Sequence, residues 1–151
     1  MRARVAASAE EPREIERGIL VLLGVGKADS DETCRLLASK IARLRIFEDD
    51  QGKMNRSLLN IHGQALVVSQ FTLYADTSRG LRPSFTDACG PERARELYEH
   101  FVSELGYMGV PVRTGWFGAR MAVELVNDGP VTLVIEENPE GSQGPQGQGS
   151  A

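Results

Sequence analysis

The sequence predicts a single α/β domain of the α+β kind, rich in sheet and carrying two main helices. Two continuous apolar runs of strand length, at residues 18–25 and 65–72, are separated by a stretch whose apolar positions recur at helical spacing. A second helical stretch and then short apolar runs follow. The order is therefore strand, helix, strand, helix, strands. A length of 151 residues suits one domain of this kind.

Residues 1–17 are rich in Ala, Glu and Arg, and only Val5 and Ile15 are strongly apolar, so this segment reads as a weak strand or a frayed start. Gly18-Ile-Leu-Val-Leu-Leu-Gly-Val25 is too short for a buried helix and reads as a buried strand, with Gly24 and Gly26 at its end. A helix is predicted over 29–45. Asp29 or Ser30 can accept from the first-turn amides, Glu32 stands three after Asp29 as in a capping box, and Leu37, Ile41 and Leu44 share a face. Residues 49–54 are rich in turn formers. Residues 65–72 form the second buried strand, and 76–83 a polar loop holding Arg79, Gly80, Arg82 and Pro83. The second helix opens at Gly90-Pro91, where Pro is tolerated in the first turn. Its stripe is Ala94, Leu97, Tyr98, Phe101, Val102 and Leu105, and Gly106 ends it. Two short strands, 121–126 and 131–135, are joined across Asn127-Asp-Gly-Pro130. The domain is expected over 1–137. Residues 138–151, dominated by Gly, Gln and Ser, cannot bury enough apolar surface to offset their ordering entropy and are expected to be disordered.

Composition narrows the function. The formal net charge is −4, so the basic balance of a general nucleic-acid binder is absent, although a local patch would suffice. Cys34 and Cys89 have no metal-ligand spacing and read as free thiols of a reducing, cytoplasmic setting. No apolar run approaches the ~20 residues that span a bilayer, and no secretory leader is visible. Neither histidine, His62 nor His100, falls in a Ser/His/Asp pattern. No metal-ligand cluster, P-loop or GxGxxG is present, so no metal and no cofactor is expected.

Two segments stand out. Ser69-Gln-Phe-Thr72 turns an apolar strand into a polar end, which a strand meeting solvent also explains. Thr72 is a conceivable nucleophile, but no base is apparent to activate it. Asn127-Asp-Gly-Pro-Val-Thr132 is an obvious turn. Its Gly129 also permits close approach to another molecule, and Gly129-Pro130 is a bond that tolerates the cis form.

Ser69-Gln-Phe-Thr72 resembles the SQxT motif of the D-aminoacyl-tRNA deacylases, and Asn127-Asp-Gly-Pro-Val-Thr132 resembles their NxGPVT motif. Between them, Gly52-Lys-Met-Asn55, Arg79-Gly-Leu-Arg-Pro-Ser-Phe85 and Thr114-Gly-Trp-Phe-Gly-Ala-Arg-Met121 are similar to family blocks in the same order. The likeness covers roughly residues 18–133. It implies a homodimer whose sheet curls towards a barrel, with an active site at the subunit interface and tRNA as substrate. Ser69, Gln70 and Thr72 would stand at the reacting ester. Gly129 and Pro130 of the partner, in the cis form and supported by Asn127, Val131 and Thr132, would engage the amino group and leave no room for an L side chain. Glycine would then be accepted beside D-residues. The resemblance further implies hydrolysis without an essential side-chain nucleophile. The terminal ribose 2′-OH would assist and backbone amides would hold the oxyanion. Phe71, Phe117, Gly118 and Met121 would form the pocket for the terminal adenosine. Core packing is the other reading of Phe117 and Met121. Arg79 and Arg82 could touch phosphates, with solvated loop charge as the other reading.

Family members carry a further strand with a Gln-Arg-Val segment upstream of the part matching residues 2–5. Its absence predicts an unpaired sheet edge. This departure keeps two alternatives open: a catalytically weakened homologue serving as an RNA-end or nucleic-acid-associated binding module, and an inert fragment.

Overall fold

The computed structural model describes residues 1–138, and the rest of the Gly/Gln/Ser tail lies outside the described residues. The chain forms β1 (Arg2–Ala7), β2 (Arg13–Ile15), β3 (Gly18–Leu23), α1 (Asp31–Arg43), β4 (Phe47–Glu48), β5 (Met54–Arg56) and β6 (Gln64–Ser69). A 3₁₀ turn (Phe71–Tyr74), α2 (Pro91–Tyr107), β7 (Val112–Thr114) and β8 (Met121–Val126) follow. β3, β6 and β7 form a parallel sheet with β6 in the centre. β2, β1 and β8 form an antiparallel sheet with β1 in the centre, and β4 and β5 form a hairpin.

Strand β6 explains the layering. Successive side chains of a strand point to opposite faces. Ala65 and Val67 face the two helices, in a cluster with Leu97, Tyr98, Phe101 and Leu105. Leu66 and Val68 face the antiparallel sheet, in a cluster with Ala3, Val5 and Ile15. Both faces are covered, so the strand reads as an unbroken apolar run rather than an alternation. The order of layers is helices, parallel sheet, antiparallel sheet. The two larger sheets meet face to face, and no strand ladder joins them among the described residues. The expected curl towards a barrel is therefore corrected: the described residues form three separate small sheets and no closed barrel. No helix is long and apolar enough to cross a membrane among the described residues.

Several boundaries differ from expectation. Residues 2–7 are a full strand paired on both sides, not a frayed start, because Ala3 and Val5 bury while Arg2 and Arg4 point outward. Two buried residues were too weak a sequence signal. The capping box of α1 is Ser30 with Thr33, not Asp29 with Glu32. Asp29 instead accepts from the Gly26 amide and the Thr33 hydroxyl. The α1 side chains that bury fully are Thr33, Cys34, Ala38 and Ala42, with Leu37 and Ile41 flanking them. Small residues are selected there because α1 packs against α2. Helix α2 runs through Gly106 to Tyr107, and the turn out of it uses Gly109 at φ 95°. The second strand stops at Ser69, since the Leu73 amide donates to the Gln70 carbonyl and winds the chain into the 3₁₀ turn. Residues 131–135 are not a strand, for they have no ladder partner among the described residues.

Candidate active site

The carboxyl ends of the three parallel strands converge on one cleft of about 560 Å³. Val25 follows β3, Ser69 ends β6, and Phe117 and Gly118 follow β7; all four line it, together with Gln70, Phe71, Phe85, Cys89 and Met121. In open parallel sheets this end is where the chain leaves room for a ligand.

The 3₁₀ turn is held from below. The Gln70 amide donates to the Leu23 carbonyl at 2.8 Å, and the Gln70 side-chain amide donates to the Thr72 hydroxyl. The Tyr74 ring lies on Gly24 and Gly26, where an added Cβ would come within 3.0 Å and 2.7 Å of Tyr74 atoms. Its hydroxyl stands 3.5 Å from Asp29 Oδ2, the same oxygen that accepts the Gly26 amide at 2.8 Å. Burial, and then the Asp29 charge, push the Tyr74 phenol up to about 12. The Phe71 and Thr72 amides precede the first bond that closes the turn, Leu73 to Gln70. Thr72 is exposed and sits at the lip of the cleft rather than in its lining.

The opposite wall is built on Arg13. Its guanidinium donates to the Thr114 carbonyl and hydroxyl, both at 3.1 Å, and lies 4.4 Å from the Trp116 ring centre. The Trp116 amide in turn donates to Met121 Sδ at 3.3 Å. A Cβ on Gly115 would stand 2.7 Å from that sulfur, so a larger residue there would displace the Met121 side chain. Met121 therefore packs in the core and lines the cleft at once. Phe117 does the same, resting 5.8 Å from the Tyr98 ring while facing the cleft. Phe71 meets Phe85 edge to face at 5.1 Å. Gly118, at φ 75°, has open space where a side chain would stand.

No histidine, carboxylate, lysine or arginine lines this cleft among the described residues. His62 is exposed in a turn at φ 53°, and His100 lies 3.4 Å from Glu104 on α2. No cluster of metal-ligating side chains occurs among the described residues. Cys34 is buried away from the cleft, where desolvation, then Asp29 and Asp31, push its thiol up to about 11. What the cleft offers is aromatic surface, the Ser69 hydroxyl, the Gln70 amide, the Cys89 thiol and the backbone.

The second motif is elsewhere. Asn127 closes its own turn, accepting from the Val131 amide at 3.1 Å and donating to the Thr132 hydroxyl at 2.9 Å. The Gly129-Pro130 peptide bond is cis, and both residues are exposed. Asn127, Gly129 and Val131 border a different cleft of about 520 Å³, with Met1, Arg17, Phe47 and Met54. Met121, in the first cleft, and Val126, in the second, are the two ends of β8. At about 3.4 Å per residue they stand roughly 17 Å apart. The structure thus gathers Ser69, Gln70, Phe71, Phe117, Gly118 and Met121, and leaves Gly129, Pro130, Asn127, Val131 and Thr132 apart from them. Sequence reasoning missed Arg13, Asp29, Tyr74 and Phe85 as its supports. Arg13 had no signal in an Ala/Glu/Arg stretch. Gly24 and Gly26, spaced to receive a ring, were the available clue to Tyr74.

The chain matches the family model for D-Tyr-tRNA(Tyr) deacylase over residues 1–136. It is 58% identical over 134 residues to a D-aminoacyl-tRNA deacylase of Roseiflexus sp. (strain RS-1), covering 89% of this chain and 86% of that protein. It is 55% identical over 135 residues to a D-aminoacyl-tRNA deacylase of Deinococcus radiodurans, covering 89% and 93%. Among solved structures it is similar to the c-Myc DNA Unwinding Element Binding Protein, with a TM-score of 0.84, 38% identity, and coverage of 90% and 93%. A family match over nearly all the described residues, with relatives more than half identical, means that the chain belongs to the D-Tyr-tRNA(Tyr) deacylase family.

Proposed function

We propose that this chain, through its 1–137 domain, hydrolyses the ester of D-aminoacyl-tRNA, and of mischarged glycyl-tRNA, in the cytoplasm, releasing the amino acid and tRNA. The observation that carries the reading is the separation of the two motifs by β8. An exposed Gly129-Pro130 unit that cannot reach its own cleft is suited to enter that of a second copy. Exposed Leu133 (54%) and Val134 (88%), together with the exposed Leu125 and Val126 of β8, give a second copy apolar side chains to cover. The active unit is then a homodimer. The backbone carbonyls of the partner's turn receive the amino group, and the fixed turn blocks the position of an L side chain.

Within the cleft, Phe71, Phe117, Gly118 and Met121 take the terminal adenosine, whose base offers a flat face to aromatic side chains. Water adds to the ester carbonyl. Amides of the 3₁₀ turn stabilise the oxyanion, the bond to the ribose oxygen breaks, and the leaving oxygen gains a proton with help from the neighbouring 2′-OH. The lack of a histidine, carboxylate, lysine or arginine in the lining among the described residues supports this substrate-assisted route. Ser69, Gln70 and Thr72 then position the ester, with Gln70 bonded to the Thr72 hydroxyl.

The test is deacylation of D-Tyr-tRNA and L-Tyr-tRNA side by side. The expected result is loss of the D ester at least about 100-fold faster. Equal loss of both removes the chiral filter. Thr72→Ala is expected to retain kcat within about tenfold, whereas a fall of about 10⁴-fold or more would make Thr72 the nucleophile. Loss of neither ester favours the second reading, a binding module for nucleic-acid ends. The likeness to a solved protein named for DNA binding supports that reading.

A further inference from the structure

We propose that the loop at residues 76–84 docks the RNA strand leading into the cleft, with Arg79 and Arg82 each taking a phosphate. The inference rests on the deacylase reading and deepens it.

The loop is a continuation of the cleft wall. It leaves the 3₁₀ turn after Tyr74 and returns into Phe85, whose ring meets Phe71 in the cleft. Its neck is closed by two bonds, Asp76 amide to Ser84 carbonyl at 2.7 Å and Ser84 amide to Asp76 carbonyl at 2.9 Å. Above that neck it forms its own concavity of about 430 Å³, bordered by Arg79, Leu81, Arg82 and Ser84. A strand whose last nucleotide sits against Phe71 has this concavity beside it.

Charge points the same way. The chain is net negative, so RNA is repelled by the molecule as a whole and needs local cations. Many basic side chains are committed to carboxylates, as in Arg35–Glu32, Arg93–Glu96 and Arg95–Glu99. Arg79 and Arg82 are exposed and enter no ion pair among the described residues. Two carboxylates border the same concavity. Asp76 is turned to Ser78, accepting from its amide at 2.9 Å and its hydroxyl at 2.6 Å, and Asp87 lies past Phe85. Leu81, fully exposed between the arginines, is an apolar tip with nothing of its own to cover. Two cations flanking an apolar side chain match unpaired RNA, in which phosphates alternate with flat base faces.

The test compares wild type with Arg79→Gln/Arg82→Gln on D-Tyr-tRNA and on 3′-D-tyrosyl-adenosine, which carries no upstream phosphates. Binding of an uncharged acceptor-stem minihelix ending in an unpaired 3′ strand is followed in parallel by fluorescence anisotropy. For two phosphate contacts on a single strand, affinity should vary with salt by a power of about 1.4, so the variant should lose about sevenfold of the wild-type weakening between 50 and 200 mM salt. The expected result is weaker minihelix binding with a shallower salt dependence, a raised KM on D-Tyr-tRNA, and unchanged hydrolysis of D-tyrosyl-adenosine. Equal minihelix binding by both proteins overturns the proposal, whether or not either protein turns over. An equal defect on both substrates overturns it too, since that marks damage to the cleft. Failure of wild type on both esters defeats the deacylase reading instead, and the anisotropy result still decides the loop.

Discussion

Tyr98 shows how one side chain serves both packing and the site. Its ring is buried in the helix-facing cluster and supports Phe117, while its hydroxyl donates to the Val67 carbonyl at 2.8 Å. Burial pushes its phenol from 10.0 up to about 12, outweighing the opposing effects of Thr114 and Arg13. The folded state therefore favours the neutral phenol. That contribution is complete below about pH 10, where the unfolded phenol is also neutral, and is lost as pH rises through the folded value. Cys34 acts in the same sense, between 9.0 and about 11. The melting temperature should thus fall on the alkaline side above about pH 9. Tyr98→Phe should cost about 0.5–1.5 kcal/mol at neutral pH by removing one hydrogen bond, since the Val67 carbonyl still accepts from the Gly115 amide at 3.1 Å, and its alkaline fall should be shallower than that of wild type. Thermal melts from pH 7 to 11 check both, and equal slopes would remove Tyr98 from the account. The stripe that places Tyr98 was legible in the sequence; its hydroxyl's partner on β6 was not, because that bond spans 31 residues.

At the scale of elements, the 3₁₀ turn matters most, because it carries Phe71 and Thr72 and is positioned by Tyr74 over Gly24 and Gly26. Gly26→Ala would drive a Cβ to 2.7 Å from the Tyr74 hydroxyl and 2.9 Å from its ring, so the ring must shift and the turn with it. Overpacking of this kind costs about 1–3 kcal/mol. We expect kcat/KM on D-Tyr-tRNA to fall about tenfold or more, a transition-state loss of about 1.4 kcal/mol. Adding Tyr74→Ala should relieve part of the defect, so the two substitutions should not be additive. Strict additivity would mean that Gly26 acts by another route. The sequence reading carried the strand to Thr72, two residues into this turn, because Phe and Thr favour strands. Only the Leu23 carbonyl, which anchors Gln70, and the seat for Tyr74 decide otherwise.

For the whole molecule, the two motifs stand at opposite ends of β8, and on the proposed homodimer this makes assembly part of the chemistry. Two inactive variants test this together. Gln70→Ala/Phe71→Ala disables the cleft, and Gly129→Ala disables the turn, where φ is 154° and a Cβ would lie 3.1 Å from the Val131 amide. Each alone should be inactive. Co-refolded in equal amounts, half of the dimers should be mixed and each should hold one intact site, so about a quarter of wild-type activity should return. No recovery would place the whole site within one chain.

The sequence by itself determined the class of fold, both helices, the central strand and the residues of both motifs, because apolar periodicity and turn chemistry are local properties. It also led to the family, since the blocks stand in order along the chain. Tertiary structure decided the rest. It placed β1 in the centre of a sheet on two buried residues, joined Arg13 to Thr114 across 101 positions, and separated Gly129-Pro130 from the cleft by the length of β8. Each depends on which distant segments meet, and no local pattern encodes a meeting whose two halves are weakly apolar or singly charged.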